Sequence, residues 1–229
     1  MSGDARIHFV RHAETLFNVN NQLQGWCDAP LTPRGERQAE ALGEYMRDVP
    51  LAAAFMSDLT RTRTTMAAAL VGHPLIEPTP MRDLREWNFG GMEGQPNSAL
   101  WTPVFAELGY SYAARDTDWA AMTDAGFDDL VDAIHRNDPT GRADTAATLN
   151  ARLESGLTTV VDAAHAVADQ GDVLVVTHGS VLSTILRHLV PTHRGKPGFP
   201  NCGVVTVTFT DGAGAVGEVV DACSLPELA

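Results

Sequence analysis

Four short runs of β-forming residues, at 5–10, 51–56, 172–176 and 204–210, are separated by stretches too long for hairpins and patterned at helical spacing. Strands joined in this way pair side by side through crossover helices. Thr32-Pro33 supplies an N-cap and a first-turn proline for a helix running to about 47, and further helices are predicted over 58–70, 144–169 and 180–189. Residues 75–79 read as a third strand ended by prolines, and 216–220 as an edge strand after a turn at Asp211-Gly212. The expected fold is α/β, a three-layer α/β/α arrangement on a mostly parallel sheet with an antiparallel edge strand. Chemistry in such folds gathers at the carboxyl ends of the strands.

Residues 95–141 break the alternation. Phe127, Leu130, Val131 and Ile134 mark one amphipathic helix there and 98–108 is a second candidate, so a largely helical cap inserted over the sheet is expected. No repeat or linker divides the chain. With 44% apolar residues available for a core, 1–229 is expected to form one domain that carries this cap.

A net charge of −13 disfavours nucleic acid and anionic membrane surfaces as partners, because both need a basic face. Cys27, Cys202 and Cys223 are odd in number and lack Cys-x-x-Cys spacing, so reduced thiols are expected, with no disulfide framework and no zinc site. The polar first residues lead into no signal-like apolar region and no apolar run is long enough to span a bilayer. A cytoplasmic protein is therefore expected. Its basic residues are fifteen Arg and a single Lys, Lys196, so what matters is where individual arginines fall.

Four segments fall at the predicted strand ends. Arg11-His12 follows the first strand, where an unprotonated imidazole can attack phosphorus while the guanidinium holds phosphoryl oxygens. The same dipeptide recurs as Arg187-His188, but inside a helical pattern that reads as ordinary surface. Ser57-Asp58-Leu59-Thr60-Arg61 ends a strand and opens a helix, whose free N–H groups favour an anion that Arg61 would help to hold. In the glycine-rich stretch that follows, Glu86 or Glu93 is suited to general acid work if Trp87 and Phe89 desolvate it; alternatively both carboxylates cap or pair with Arg82 and Arg85. Val173 to Val176 delivers Thr177-His178-Gly179, where His178 can donate to a phosphoryl oxygen, whereas His8, inside the first strand, is assigned to packing.

These motifs resemble those of the histidine phosphatase superfamily, also called the phosphoglycerate mutase-like family. The resemblance rests on Arg11-His12-Ala13-Glu14-Thr15, Ser57-x-Leu59-x-Arg61, Leu84-x-Glu86 with Phe89-Gly90 and Glu93-Gly94, and Thr177-His178-Gly179; it extends to Asn18, Gly25, Asp28 and Leu31-Thr32. Ala143-Asp144-Thr145 is a divergent match, and the insertion is not covered. The resemblance implies that His12 accepts the phosphoryl group, that Arg11, Arg61 and His178 hold it, and that Glu86 donates the proton. Asn18, Gln24, Gly25 and Gly179 would line the same pocket, with no metal or other cofactor needed.

A phosphatase is the expected branch. Mutases of this family carry extra basic residues, including a lysine after the Glu86 position, whereas here the chain has Asn88-Phe89-Gly90 and no Lys before Lys196; Gly25-Trp26-Cys27-Asp28 nevertheless resembles the mutase branch. A noncatalytic phosphoryl-binding module is the remaining alternative, but such a relative would be expected to lose His12 or Glu86. The partner expected is a small phosphorylated substrate, with a homodimer also open. Trp101, Phe105, Tyr110, Tyr112 and Trp119 either contact the leaving group or form the cap's own core, and acids such as Asp118, Asp124, Asp128 and Asp129 form a solvated face.

Overall fold

The computed structural model describes residues 4–190, 198–210 and 213–222. Lys196, Cys223 and the expected turn at Asp211-Gly212 lie outside the described residues. Strand β1 (Ala5–Arg11) leads through one turn, α1 (Leu16–Val19), to α2 (Pro33–Met46), then β2 (Leu51–Ser57), α3 (Thr60–Ala69) and β3 (Thr79–Met81). Helices α4 (Asn97–Glu107), α5 (Arg115–Ala125) and α6 (Phe127–Arg136) make up the cap. The chain returns through α7 (Ala146–Val167), β4 (Asp172–Thr177), α8 (Gly179–Leu189), β5 (Gly203–Thr210) and β6 (Ala213–Asp221).

The sheet order is β3-β2-β4-β1-β5-β6. The first four strands pair in parallel, while β5 runs against β1 and pairs antiparallel with β6 as well, forming the antiparallel edge. Every residue of β4 is buried, because Val173 and Val175 face one helical layer and Leu174 and Val176 the other. That explains its unbroken apolar run. On one face, Val10, Ala54, Met56, Leu174 and Val176 pack with Leu42 and Met46 of α2 and Met66 of α3. On the other, Ile7, Phe9, Val173 and Val175 pack with Leu153 and Leu157 of α7 and Leu182 and Ile185 of α8, and cap residues Leu100, Phe105, Leu130 and Ile134 belong to that same core. Each such side chain removed from water contributes about 1.5–3 kcal/mol.

Thr32 caps α2 by accepting the Gly35 N–H, and Pro33 occupies its first turn. A Cβ at Gly35 would lie 2.0 Å from the Glu14 carbonyl, so this glycine lets α2 dock against the loop that leaves His12. The third strand departs from expectation. It spans Thr79–Met81, with Pro80 inside it, and Leu75 is 96% exposed. An edge strand tolerates a proline because one side of it needs no donor, whereas Leu75 has no apolar partner to hold it in a sheet. Helix α1 and helix α5 are additions that the sequence pattern did not predict, and the 98–108 candidate corresponds to α4, which accommodates Pro103. No helix among the described residues is long and apolar enough to cross a membrane.

Candidate active site

Parallel pairing of β1 with β4 sets Arg11 opposite Thr177, and the His12 N–H donates to the Thr177 carbonyl at 2.9 Å. The residues that follow each strand are thereby neighbours. The imidazoles of His12 and His178 lie 5.3 Å apart at 62°, both buried. His12 Nδ1 is 2.8 Å from the Ala13 carbonyl, which can only accept, so Nδ1 carries the proton and Nε2 keeps its lone pair. Burial, then the charges of Arg61 and Arg11, push the His12 pKa well below its ordinary value. Burial, then Arg61 and His12, do the same to His178. Both rings are therefore neutral at pH 7.

Arg61 lies in the first turn of α3 and is 1% exposed. Its terminal nitrogens donate to the carbonyls of Gly25 at 2.7 Å and Cys27 at 2.9 Å and to the Asp28 carboxylate at 3.1 Å. Arg11 donates to the Phe199 carbonyl at 2.6 Å. Burial lowers both guanidinium pKa values, opposed chiefly by Asp28 for Arg61 and by Glu86 for Arg11. Yet Arg11 Nε, Arg61 Nε, Gln24 Nε2, the Ser57 hydroxyl and both ring nitrogens of His178 are buried with no protein partner. An unpaired buried polar group costs about 1–3 kcal/mol, so donors of this kind at the ends of β1, β2 and β4 are chemically suited to an oxyanion.

Glu86 is buried, and its carboxylate accepts the N–H groups of Trp87 at 3.0 Å, Ser180 at 3.0 Å and Val181 at 2.8 Å. It thus rests on the N-terminus of α8, the helix that His178 precedes. The pairing with Arg82 and Arg85 considered from sequence does not occur: Arg85 binds Asp58 at 2.5 and 2.8 Å, and Arg82 lies over the Trp26 ring. Glu93 instead accepts from Gly25, Trp26, Cys27 and Phe89, which fixes the loop that Arg61 grips from the other side.

The remaining predicted residues take varied positions. Gln24 Oε1 accepts from the Thr15 hydroxyl at 2.6 Å, leaving Nε2 as one of the unpaired donors. Asn18 Oδ1 accepts from the Thr15 N–H and from Asn201 Nδ2, and Asn201 also donates to the His12 carbonyl. A Cβ on Gly25 would lie 2.1 Å from the Trp87 carbonyl, and one on Gly179 would lie 3.3 Å from Arg11 Nε. His8 does more than pack, since it bonds Asp172 at 2.9 Å and Thr206 at 2.8 Å. In the second Arg-His copy, Arg187 lies 4.9 Å over the Phe127 ring and His188 bonds the Thr184 carbonyl.

Arg152 and Asn201 escaped the sequence reading. Arg152 donates to the carbonyls of Asp83, Arg85 and Glu86 and to Asp144, so it pins the segment carrying Glu86. Its position within a helix gave no signal, and the partners it holds are mostly backbone carbonyls. A cleft of about 580 Å³ is lined by Arg11 and Glu86 together with side chains of the 95–141 segment.

A mostly parallel α/β sheet thus brings His12, His178, Arg11, Arg61 and Glu86 together at its carboxyl edge. The sequence profile of the histidine phosphatase superfamily (branch 1) matches residues 7–222, and the chain belongs to that superfamily. It is 29% identical over 195 residues to "Probable phosphoglycerate mutase GpmB" of Erwinia tasmaniensis, covering 84% of this chain and 76% of that protein. Over 95 residues it is 38% identical to "Fructose-2,6-bisphosphatase TIGAR" of Xenopus tropicalis, covering 40% of this chain and 34% of the other. Several of the curated relatives are matched over less than half their length. Among solved structures, the phosphoglycerate mutase of Bacillus anthracis str. Sterne superposes with a TM-score of 0.84 at 27% identity, covering 96% of this chain and 94% of that one.

Proposed function

We propose that this chain is a phosphomonoester hydrolase working through a phosphohistidine, with a small phosphorylated metabolite as substrate and no metal in the reaction. The observation that carries this reading is the orientation of His12: a buried, neutral imidazole with its Nδ1 proton held by Ala13 and its Nε2 free, beside guanidinium and imidazole donors that lack protein partners. Nε2 attacks phosphorus as the ester P–O bond breaks, and a proton reaches the departing oxygen by way of Glu86. Water then attacks phosphorus as the P–Nε2 bond breaks, Glu86 takes the proton that the water loses, and orthophosphate leaves with His12 restored. Arg11 and Arg61 offset the charge on the transferring group. His178, neutral in the free protein, gains basicity when that dianion arrives beside it.

The runner-up is a mutase, in which a retained substrate replaces water; the names of several relatives and the Gly25 to Asp28 segment support it. Purified protein assayed with excess chelator on phosphate esters and on 3-phosphoglycerate separates the two. Phosphate release without isomerisation is expected, absent in His12→Ala and lowered about 10²–10⁴-fold in Glu86→Gln. Chelator-sensitive turnover, or an acid-labile phosphoenzyme that persists without His12, would overturn the mechanism. Isomerisation dependent on a bisphosphate primer would select the mutase.

A further inference from the structure

We propose that the group esterified to phosphate in the substrate is a flat aromatic ring, held against the cap by Trp119 and Tyr112. The proposal rests on the phosphoryl-site reading above and concerns the space beyond it. The cleft lined by Arg11 and Glu86 is also lined by Trp101, Tyr112 and Trp119 of the cap and by Ser180 and Ser183 of α8. The rings hold one another in place: Trp101 and Trp119 lie edge to face at 5.3 Å, and Phe105 and Tyr112 at 5.5 Å. Trp101 is nearly covered by this packing, while Trp119 and Tyr112 stay only half-buried. A wall of large rings that are already ordered binds a planar guest at little further entropy cost.

The same wall suits a carboxylated triose phosphate poorly. Among the described residues lining the cleft, Arg115 is the cation besides Arg11, and it is exposed with its guanidinium 5.3 Å from the Tyr112 ring. An ion pair made there is screened by water and contributes little. The acids named from sequence, Asp118, Asp124, Asp128 and Asp129, are absent from the cleft's described lining. Among the described residues, the surface offered to the leaving group at this mouth is therefore mainly aromatic.

Binding to the full chain by calorimetry, with phosphonates that cannot turn over, tests this apart from hydrolysis. Benzylphosphonate is expected to bind about three- to tenfold tighter than cyclohexylmethylphosphonate, a guest of similar size without a π-face, and tighter than 3-phosphoglycerate. The benzyl-to-cyclohexylmethyl ratio should fall towards one in Trp119→Ala and be largely kept in Trp119→Phe. Equal affinities in the wild-type protein, tighter binding of 3-phosphoglycerate, or a ratio unchanged in Trp119→Ala would overturn the aromatic subsite. If neither phosphonate nor orthovanadate binds, the phosphoryl-site reading falls and the subsite with it. A clear aromatic preference in a protein that hydrolyses no ester would leave the subsite standing and sink only the hydrolase reading.

Discussion

At the scale of single residues, the site depends on imidazoles that stay uncharged next to guanidinium groups. Their depressed pKa values have a thermodynamic counterpart. Above about pH 6.5 both the folded and unfolded chains hold His12 and His178 neutral, and these residues add no pH dependence. As pH falls below that value, the unfolded chain takes up protons that the folded one refuses, so stability declines by up to about 1.4 kcal/mol per pH unit for each imidazole. Urea unfolding at pH 7 and pH 5.5 should show the loss, and His178→Asn should reduce it. An identical pH dependence in that variant would contradict the assignment. None of this orientation was legible in the sequence: Arg11, His12, Arg61 and His178 announce themselves by their strand-end settings, but the acceptor that fixes the His12 tautomer is the carbonyl of Ala13, and every residue has one. The carboxylate of Glu86 is likewise held by backbone N–H groups, whereas the sequence shows only the apolar Trp87 and Phe89 beside it.

At the scale of elements, the junction between the cap and the glycine-rich segment depends on one side chain. Asp138 follows α6 and accepts N–H groups from Gly91, Thr140, Arg142 and Ala143. Burial pushes its carboxyl pKa up, but the N–H groups of Thr140, Ala143 and Arg142 outweigh that and hold it at about 2. Because the folded value is depressed, this contribution is present above about pH 4 and is lost as pH falls through 2. Asp138→Ala is expected to cost about 1–3 kcal/mol, measured by urea unfolding at pH 7, since four N–H groups, that of buried Ala143 among them, lose their acceptor together. A change under 0.5 kcal/mol would show that the junction is held elsewhere. Helices with strong local signals, such as α2 with Thr32 and Pro33, were legible from sequence almost to the residue. Helix α5 was not, because its residues Arg115–Ala125 carry no clear apolar stripe and it is held by the cap's aromatic packing. The expected position of β3 differs from the observed one because Pro78 before it and Pro80 inside it obscure a pairing of only three residues.

At the scale of the whole molecule, buried donors without protein partners tie folding to occupancy. An oxyanion that binds only the folded chain stabilises it by mass action, by about 2.7 kcal/mol at a hundred times its dissociation constant. For a chain of this length that corresponds to a rise in melting temperature of about 5–10 °C, which orthovanadate should produce in the wild-type protein and not in Arg61→Met. A rise of equal size in the variant would place the anion elsewhere. Sheet order adds a matter of timing. β1 carries the residue next to the nucleophile, yet its two neighbours in the sheet, β4 and β5, come from more than 150 residues further along the chain. While the chain is being synthesised, β1 must wait with both edges open until 172–210 has been made. The arrangement that sets two histidines side by side thus makes the nascent protein dependent on protection from aggregation until its last strands arrive.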